Sequence, residues 1–433
     1  SFPDYFNLAM PKSQILISFN YFCLIHIWKL TNKISDYIDK HRRSFFSLLS
    51  IFLVALTFPI IEGDFSYGLD SSYFWAHNYL AHKFEYLSET SLIYGPLAFL
   101  RHPYSVGDNA VYGIVFLCLI KYCIVFLFFQ LNEFYQKWNR FILFCVLFFF
   151  LIISPAVDYL LIILVLQLIL LHYKSKHNYL LFMACFTLIL GLFIKCSIGI
   201  SGSFICVVYF LWEILWKKKA YKLFISLFIF SIIILLAGAL ILFKDFDGLQ
   251  TMLLNYFYAT AGFSENMPLL NGKENVYLLL GAALIFVLQV ILINDSIFRI
   301  IWFCTFFCTF SVFKHSMVRP DEGHYYSLII FYLQLSILTI LLINKAGLKN
   351  LILLFLPIIL YEFNLADKWR YEKLKISIPN GIYNLIDLSI HYNRKQEEWK
   401  RITMKNAEVQ FLTISPDMLK EIAKHTIDFY PFE

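Results

Sequence analysis

The sequence predicts an all-α polytopic membrane protein, and three observations carry that prediction. Apolar runs of membrane-spanning length recur between residues 44 and 363. The chain is 60% hydrophobic and 15% charged, against the ~25% charged residues of an ordinary soluble domain. Its charges also segregate, basic residues in one set of connecting loops and acidic residues in the alternate set. The net charge of +6 follows from those basic loops and is no sign of nucleic-acid binding.

Residues 1–43 read as a cytoplasmic segment. Within it, Gln14–Trp28 is apolar but short for a span. It has neither the basic lead nor the cleavage site of a signal peptide, and reads as an interfacial helix. A transmembrane module over 44–363 follows. Its eleven spans are read at about 44–61, 110–131, 141–154, 157–172, 179–195, 197–216, 223–243, 275–294, 298–313, 325–343 and 349–363. The pair around Ser154-Pro155 is short enough for a hairpin that does not fully cross. One set of loops holds Lys174, Lys176, Lys217, Lys218, Lys219 and Lys222; the first loop of the other set holds Glu62, Asp64, Asp70, Glu85, Glu89 and Asp108. Basic loops stay in the cytoplasm. The N-terminus is therefore expected inside, and the loops at 62–109, 244–274 and 314–324 outside, with the C-terminal segment 364–433. That segment is charged and carries the alternating runs "LKISIP" and "VQFLTI", then a helix start with Ser415 as N-cap and Pro416 at the first position. It reads as a small extracytoplasmic α/β domain. The nine cysteines lie in or beside apolar runs, form no CxxC, and read as packing residues.

The polar residues that remain gather on one expected face. The 62–109 loop is long and aromatic, and loops beyond about 15 residues are uncommon unless functional. Its stretch "SSYFWAHNYLAHKF" has helical spacing and suits the membrane surface. Glu62, Asp64 and Asp70 follow the first span closely; a solvated acid accounts equally well for Glu62, and an N-cap for Asp70. The loop "FKHSMVRPDEGHYY" packs Lys314, His315, Arg319, Asp321, Glu322 and His324 between apolar flanks, with Pro320 and Gly323 forcing a turn. The bland alternative is a solvated loop with internal ion pairs. Lys195 stands at the end of the fifth span, where snorkelling to the interface is the common fate of a lysine. Asp158 lies at the outer end of the fourth span. Lys121, in the middle of the second, is expensive unless paired or in a polar cavity. Fixed cations and acids at a membrane face suit transfer chemistry on an anionic amphiphile, cations holding phosphate and a carboxylate taking a proton. No GxxxxGK[ST], GxGxxG after a strand, HExxH or GxSxG occurs, which disfavours soluble nucleotide chemistry.

The topology, the acids soon after the first span, the amphipathic loop segment and the outer tail resemble the GT-C superfamily of integral membrane glycosyltransferases. "GLDSSYFWAHNYL … IYGPLAFL" and "FKHSMVRPDEGHYY" also resemble a largely uncharacterised group of bacterial membrane proteins associated with it; "GLFIKCSIGI" and "TIDFYP" match more weakly. The resemblance implies a polyprenyl-phosphate-linked sugar as donor, a glycan or lipid acceptor, and a bacterial inner membrane location. It implies a first-loop acid as catalytic base: Asp70 matches the wording best, Asp64 the position. Arg319, Lys314 and Lys195 would hold the lipid phosphate, Asp321 and His324 would orient sugar or acceptor, and Tyr94, in the matched stretch, would contact substrate. Glu62 and Asp64 form a Glu-x-Asp suited to a divalent ion, although some members of the superfamily need no metal. Two rivals are a flippase of lipid-linked glycans, which needs polar residues through the bundle, and a non-catalytic subunit of an envelope assembly.

Overall fold

The computed structural model describes residues 41–58, 77–82, 94–101, 103–132, 157–217, 221–266 and 380–411, with isolated helical positions between 281 and 338. Among the described residues the chain is helical, without a strand. The helices are α1 (Arg42–Leu56), α2 (Asn109–Asn132), α3 (Val157–Ser175), α4 (Tyr179–Ile194), α5 (Cys196–Lys217), α6 (Tyr221–Phe243), α7 (Asp247–Asn266) and α8 (Asn380–Phe411). Among the described residues, three segments are long and apolar enough to cross a membrane: Asn109–Leu131, Cys196–Leu215 and Tyr221–Phe243; Tyr159–Ser175 and Tyr179–Ile194 are shorter apolar helices. The spans read at 141–154, 298–313, 325–343 and 349–363, and the Gln14–Trp28 segment, lie outside the described residues, apart from scattered positions.

Two compact units divide the chain, Ser1–Phe52 and Leu53–Glu433. In the first, α1 begins and turns Phe45, Leu48, Ile51 and Phe52 outward, while Ser50 returns its hydroxyl to the Phe46 carbonyl at 2.6 Å. The bundle of the second unit is centred on α3. Every side chain from Tyr159 to His172 is buried, and α3 packs against α2, α4 and α5. A helix apolar all round belongs in such a position. At the other extreme, α6 leaves a wide apolar face open, including Ile225, Phe228, Ile229 and Ile233, as a lipid-facing helix does.

A tight hairpin of α4 and α5 determines where the polar residues fall. Lys195 alone separates the two helices, in an extended conformation (φ −159°, ψ 130°). So short a link brings the helices back against each other only if the facing side chains are small. Gly191 faces Ile198, Gly199 faces Leu192 and Gly202 faces Leu188; a Cβ on any of them would come within 2.8 Å of those side chains.

Two expectations change. The 244–274 region, read as an outer loop, contains the helix α7, started where Asp245 Oδ1 accepts the Gly248 amide at 2.8 Å. In the tail, Val409–Phe411 of the alternating "VQFLTI" run ends the long helix α8 instead of opening a strand. The run continues a helix rich in Glu, Lys and Arg at helical spacing, and local pattern yields to that context. The remainder of the proposed α/β tail lies outside the described residues.

Candidate functional site at the hairpin apex

The apex of the α4–α5 hairpin is closed by the first loop. A helix C-terminus leaves its last carbonyls without helical partners. Here the Gly95 amide donates to the Ile194 carbonyl at 3.0 Å and the Leu97 amide to the Phe193 carbonyl at 2.9 Å. Tyr94 and Lys195 form an isolated antiparallel bridge. Gly95 is required by space: a Cβ would lie 2.1 Å from the Phe193 carbonyl oxygen and 2.5 Å from the Tyr256 hydroxyl. Tyr256 reaches up from α7 and donates to the Leu192 carbonyl at 2.9 Å; its burial holds the phenol well above its usual pKa. Beneath it, Phe193, Cys196, Ala239, Leu242, Leu249 and Met252 form a closed apolar cluster.

After the bridge, the 3-10 turn Ala98–Leu100 folds the chain back, its amides closing onto the Gly95, Leu97 and Ala98 carbonyls. The return brings Arg101 to Tyr94. The guanidinium donates from Nη1 to the Tyr94 hydroxyl at 3.2 Å and lies 5.3 Å from the ring centroid. The Lys195 ammonium lies 5.2 Å from the same centroid. One aromatic ring thus contacts two cations brought from distant parts of the chain. Cation–π contacts are worth about 0.5–1 kcal/mol when exposed and about 2 or more when desolvated. Lys195 does not snorkel outward: only 4% of it is exposed, because the Tyr94–Leu97 segment covers it. None of the three side chains is without further partners in the chain. Two cations are thus held against one polarisable ring, and a guanidinium fork is of the kind that suits phosphate.

The neighbouring part of the loop is braced from both sides. Asn78, fully buried, accepts the Tyr104 amide on Oδ1 at 2.9 Å, and its backbone carbonyl accepts from Asn109 Nδ2 at 2.6 Å. Residues 77–82 are helical, within the stretch read as the amphipathic loop segment. Burial lowers the His77 imidazole from its usual 6.5 to about 4. From the tail, Gln396 of α8 donates to the Gly107 carbonyl at 2.8 Å.

Of the residues read as site candidates, Tyr94 and Lys195 are brought into direct contact. Asp64, Asp70, Lys314, Arg319, Asp321 and His324 lie outside the described residues, as does Glu62 of the Glu-x-Asp pair. Among the described residues no cluster of metal-binding side chains occurs, and the cysteines at 118, 123, 185, 196 and 206 are free thiols, buried or half-buried. Sequence reasoning passed over Arg101, Gly95 and Tyr256. The Gly95-Pro96 turn signal is visible in the sequence, but its pairing with residues a hundred positions away is not.

A second polar group lies at the opposite end of the hairpin. His172 Nδ1 is 2.7 Å from the Tyr209 hydroxyl, which in turn donates to Glu213 Oε1 at 3.2 Å. His172 and Glu213 border a cavity of about 20 Å³, room for roughly one water. Between the two ends, Lys121 Nζ and Gln167 Oε1 are buried and lack a hydrogen-bond partner among the described residues. No family model, no curated protein and no solved structure matches the chain.

Proposed function

We propose that the protein is a GT-C-like membrane glycosyltransferase of a bacterial inner membrane, moving a sugar from a polyprenyl-phosphate donor to an envelope glycan or lipid acceptor. The observation that supports this reading best is the convergence of Lys195 and Arg101 on Tyr94 at the hairpin apex. In the proposed reaction an acceptor hydroxyl attacks the anomeric carbon of the sugar. The carbon–oxygen bond to the lipid phosphate breaks, its electron pair leaves with the phosphate, and Asp70 or Asp64 takes the hydroxyl proton. Lys195 and Arg101 stabilise the departing phosphate, joined by Arg319 and Lys314; Tyr94, Asp321 and His324 orient sugar and acceptor. Lys195 is held by the α4–α5 link and Arg101 by the 3-10 turn, and donors held in place before reaction leave little reorganisation to oppose charge development.

The test is sugar transfer from a polyprenyl-phosphate donor in liposomes, with equal amounts of folded protein. Removing one preorganised donor from a developing anion costs about 2.7–4 kcal/mol, roughly 100- to 1000-fold in rate. Lys195→Met and Arg101→Gln are each expected to lose activity on that scale, and either Asp70→Asn or Asp64→Asn to abolish it. Full transfer by both cation variants would defeat the proposal.

A further inference from the structure

One face of α8 changes character partway along. Gly381, Trp399 and the half-buried Gln396 turn toward the rest of the chain. The outward face over its first turns is apolar apart from Ser389, whose hydroxyl returns to the Leu385 carbonyl: Tyr383 is 65% exposed, Ile386 50% and Ile390 69%. Beyond it the outward residues are Asn393, Arg394, Glu397, Glu398, Lys400 and Arg401. The change falls at His391, where the backbone leaves helical geometry (φ −112°, ψ 22°) and the helix kinks. A helix lying wholly in water has no reason to be apolar outside on one side of a kink and charged on the other.

Its two anchors indicate what covers the apolar half. At its start, Gly381 approaches so closely that a Cβ would clash with the carbonyl of Leu56, the last residue of the apolar helix α1. Further along, Gln396 bonds to Gly107, two residues before α2, a helix of membrane-crossing length. The two anchors are 15 residues apart on α8, about 22 Å. The apolar outward residues thus lie between the end of one apolar helix and the mouth of a membrane-crossing one, and the charged residues begin just short of that mouth. Tyr383, with an apolar body and a polar tip, suits the membrane–water boundary.

We propose that the outward residues Ile382, Tyr383, Ile386 and Ile390 of α8 are seated in lipid, at the boundary of headgroups and acyl chains, while Asp387 keeps its ion pair with Lys395 at 2.6 Å on another side of the helix, and that the helix leaves the lipid for water at His391. The tail is then a surface-seated clamp: its lipid-bound half starts against Leu56, and its water-exposed half holds the Gly107 carbonyl at the entrance to α2. This rests on the membrane setting of the bundle and is independent of the transfer reaction.

The test is photo-crosslinking of the full chain in vesicles of phosphatidylethanolamine and phosphatidylglycerol. Ile386 or Ile390, and separately Arg394 or Glu398, is replaced by p-benzoylphenylalanine, and adducts are identified by mass spectrometry. About tenfold more lipid adduct is expected at 386 and 390 than at 394 and 398, as for side chains about 5–10 Å deep against side chains in water. Should either isoleucine variant fail to fold, the same replacement at Tyr383, which exchanges one aromatic for another, gives the reading. Adducts from 386 and 390 to a second copy of the chain or to another protein, equal lipid labelling of both halves, or no lipid adduct at any position would each overturn the proposal.

Discussion

Gly95→Ala isolates the contact on which the apex depends. Gly95 is not in the left-handed region, so alanine meets no backbone penalty and acts through space alone. The new methyl would lie 2.1 Å from the Phe193 carbonyl oxygen and 2.5 Å from the Tyr256 hydroxyl. The tyrosine can rotate away, but the carbonyl belongs to the last turn of α4 and is already bonded to Leu97. Two responses are open. The loop segment can stay seated under strain, and overpacking of this kind costs about 1–3 kcal/mol. Otherwise it can lift, losing the hydrogen bonds to Ile194 and Phe193 at about 1 kcal/mol each and the cation–π contact with Lys195 besides. The cheaper response costs about 2 kcal/mol, roughly 30-fold in the balance between seated and lifted loop. Because Lys195 is only 4% exposed when the loop is seated, its reaction with an amine-specific reagent reports the lifted population. Labelling of Lys195 in Gly95→Ala is expected to rise by about 30-fold, read by mass spectrometry, with a lower thermal midpoint in the same detergent. Unchanged Lys195 labelling together with an unchanged midpoint would refute the reasoning, since it would mean that the loop yields at no cost.

Two further outcomes are expected. His77 titrates at about 4 when folded and 6.5 when unfolded, so from pH 6.5 down to 4 only the unfolded chain takes up the proton and stability falls as pH falls, by about 1.4 kcal/mol per unit and about 3 kcal/mol in all. His77→Asn should flatten that part of the stability profile, measured as thermal midpoint against pH; an identical slope in the variant would place the sensitivity elsewhere. Lys121→Met conserves volume and removes a buried cation that lacks a hydrogen-bond partner among the described residues, so its midpoint should stay the same or rise. A lower midpoint in Lys121→Met would refute the reasoning and show that the ammonium contributes to the folded state.

Much of the helical bundle is legible in the sequence because each apolar run there is bounded by charge or a turn. The expected 110–131, 179–195, 197–216 and 223–243 differ by one or two residues from α2, α4, α5 and α6. Helix α7 was less visible: its mixed surface, with Met252 and Tyr256 buried but Phe257 and Tyr258 exposed, lacks a clean apolar run, and Asp245 as its starting cap was not recognised. The apex was only half visible. Lys195 stands out as a lysine at the end of an apolar run, yet it is buried where Tyr94 bridges to it and Gly95 bonds to Ile194 beside it, across about a hundred residues. Such pairing leaves no periodic trace. Arg101 is one base in an acidic loop, and only the 3-10 turn brings it back to the Tyr94 ring.

The polar residues inside the bundle bear on the choice between transfer and transport. A transporter of lipid-linked glycans needs a polar route through the membrane depth. Lys121 leans toward the start of α2, as helical side chains do, placing its ammonium near the level of Cys118. Gln167 reaches the Ile124 carbonyl, six residues further along α2, about 9 Å deeper. His172 is five residues beyond Gln167 on α3, about 8 Å further again. Between these levels α3 presents Leu160 to Leu166 and Leu168 to Leu171, all apolar and buried. Among the described residues, α3 itself would offer a passing charged headgroup two apolar intervals, each longer than the reach of one hydrogen bond. The polar positions at Lys121, Gln167 and His172 are therefore separated, whereas at the apex Lys195 and Arg101 both contact Tyr94. Among the described residues, the apex is where two cations meet one aromatic ring, the arrangement on which the proposed transfer rests.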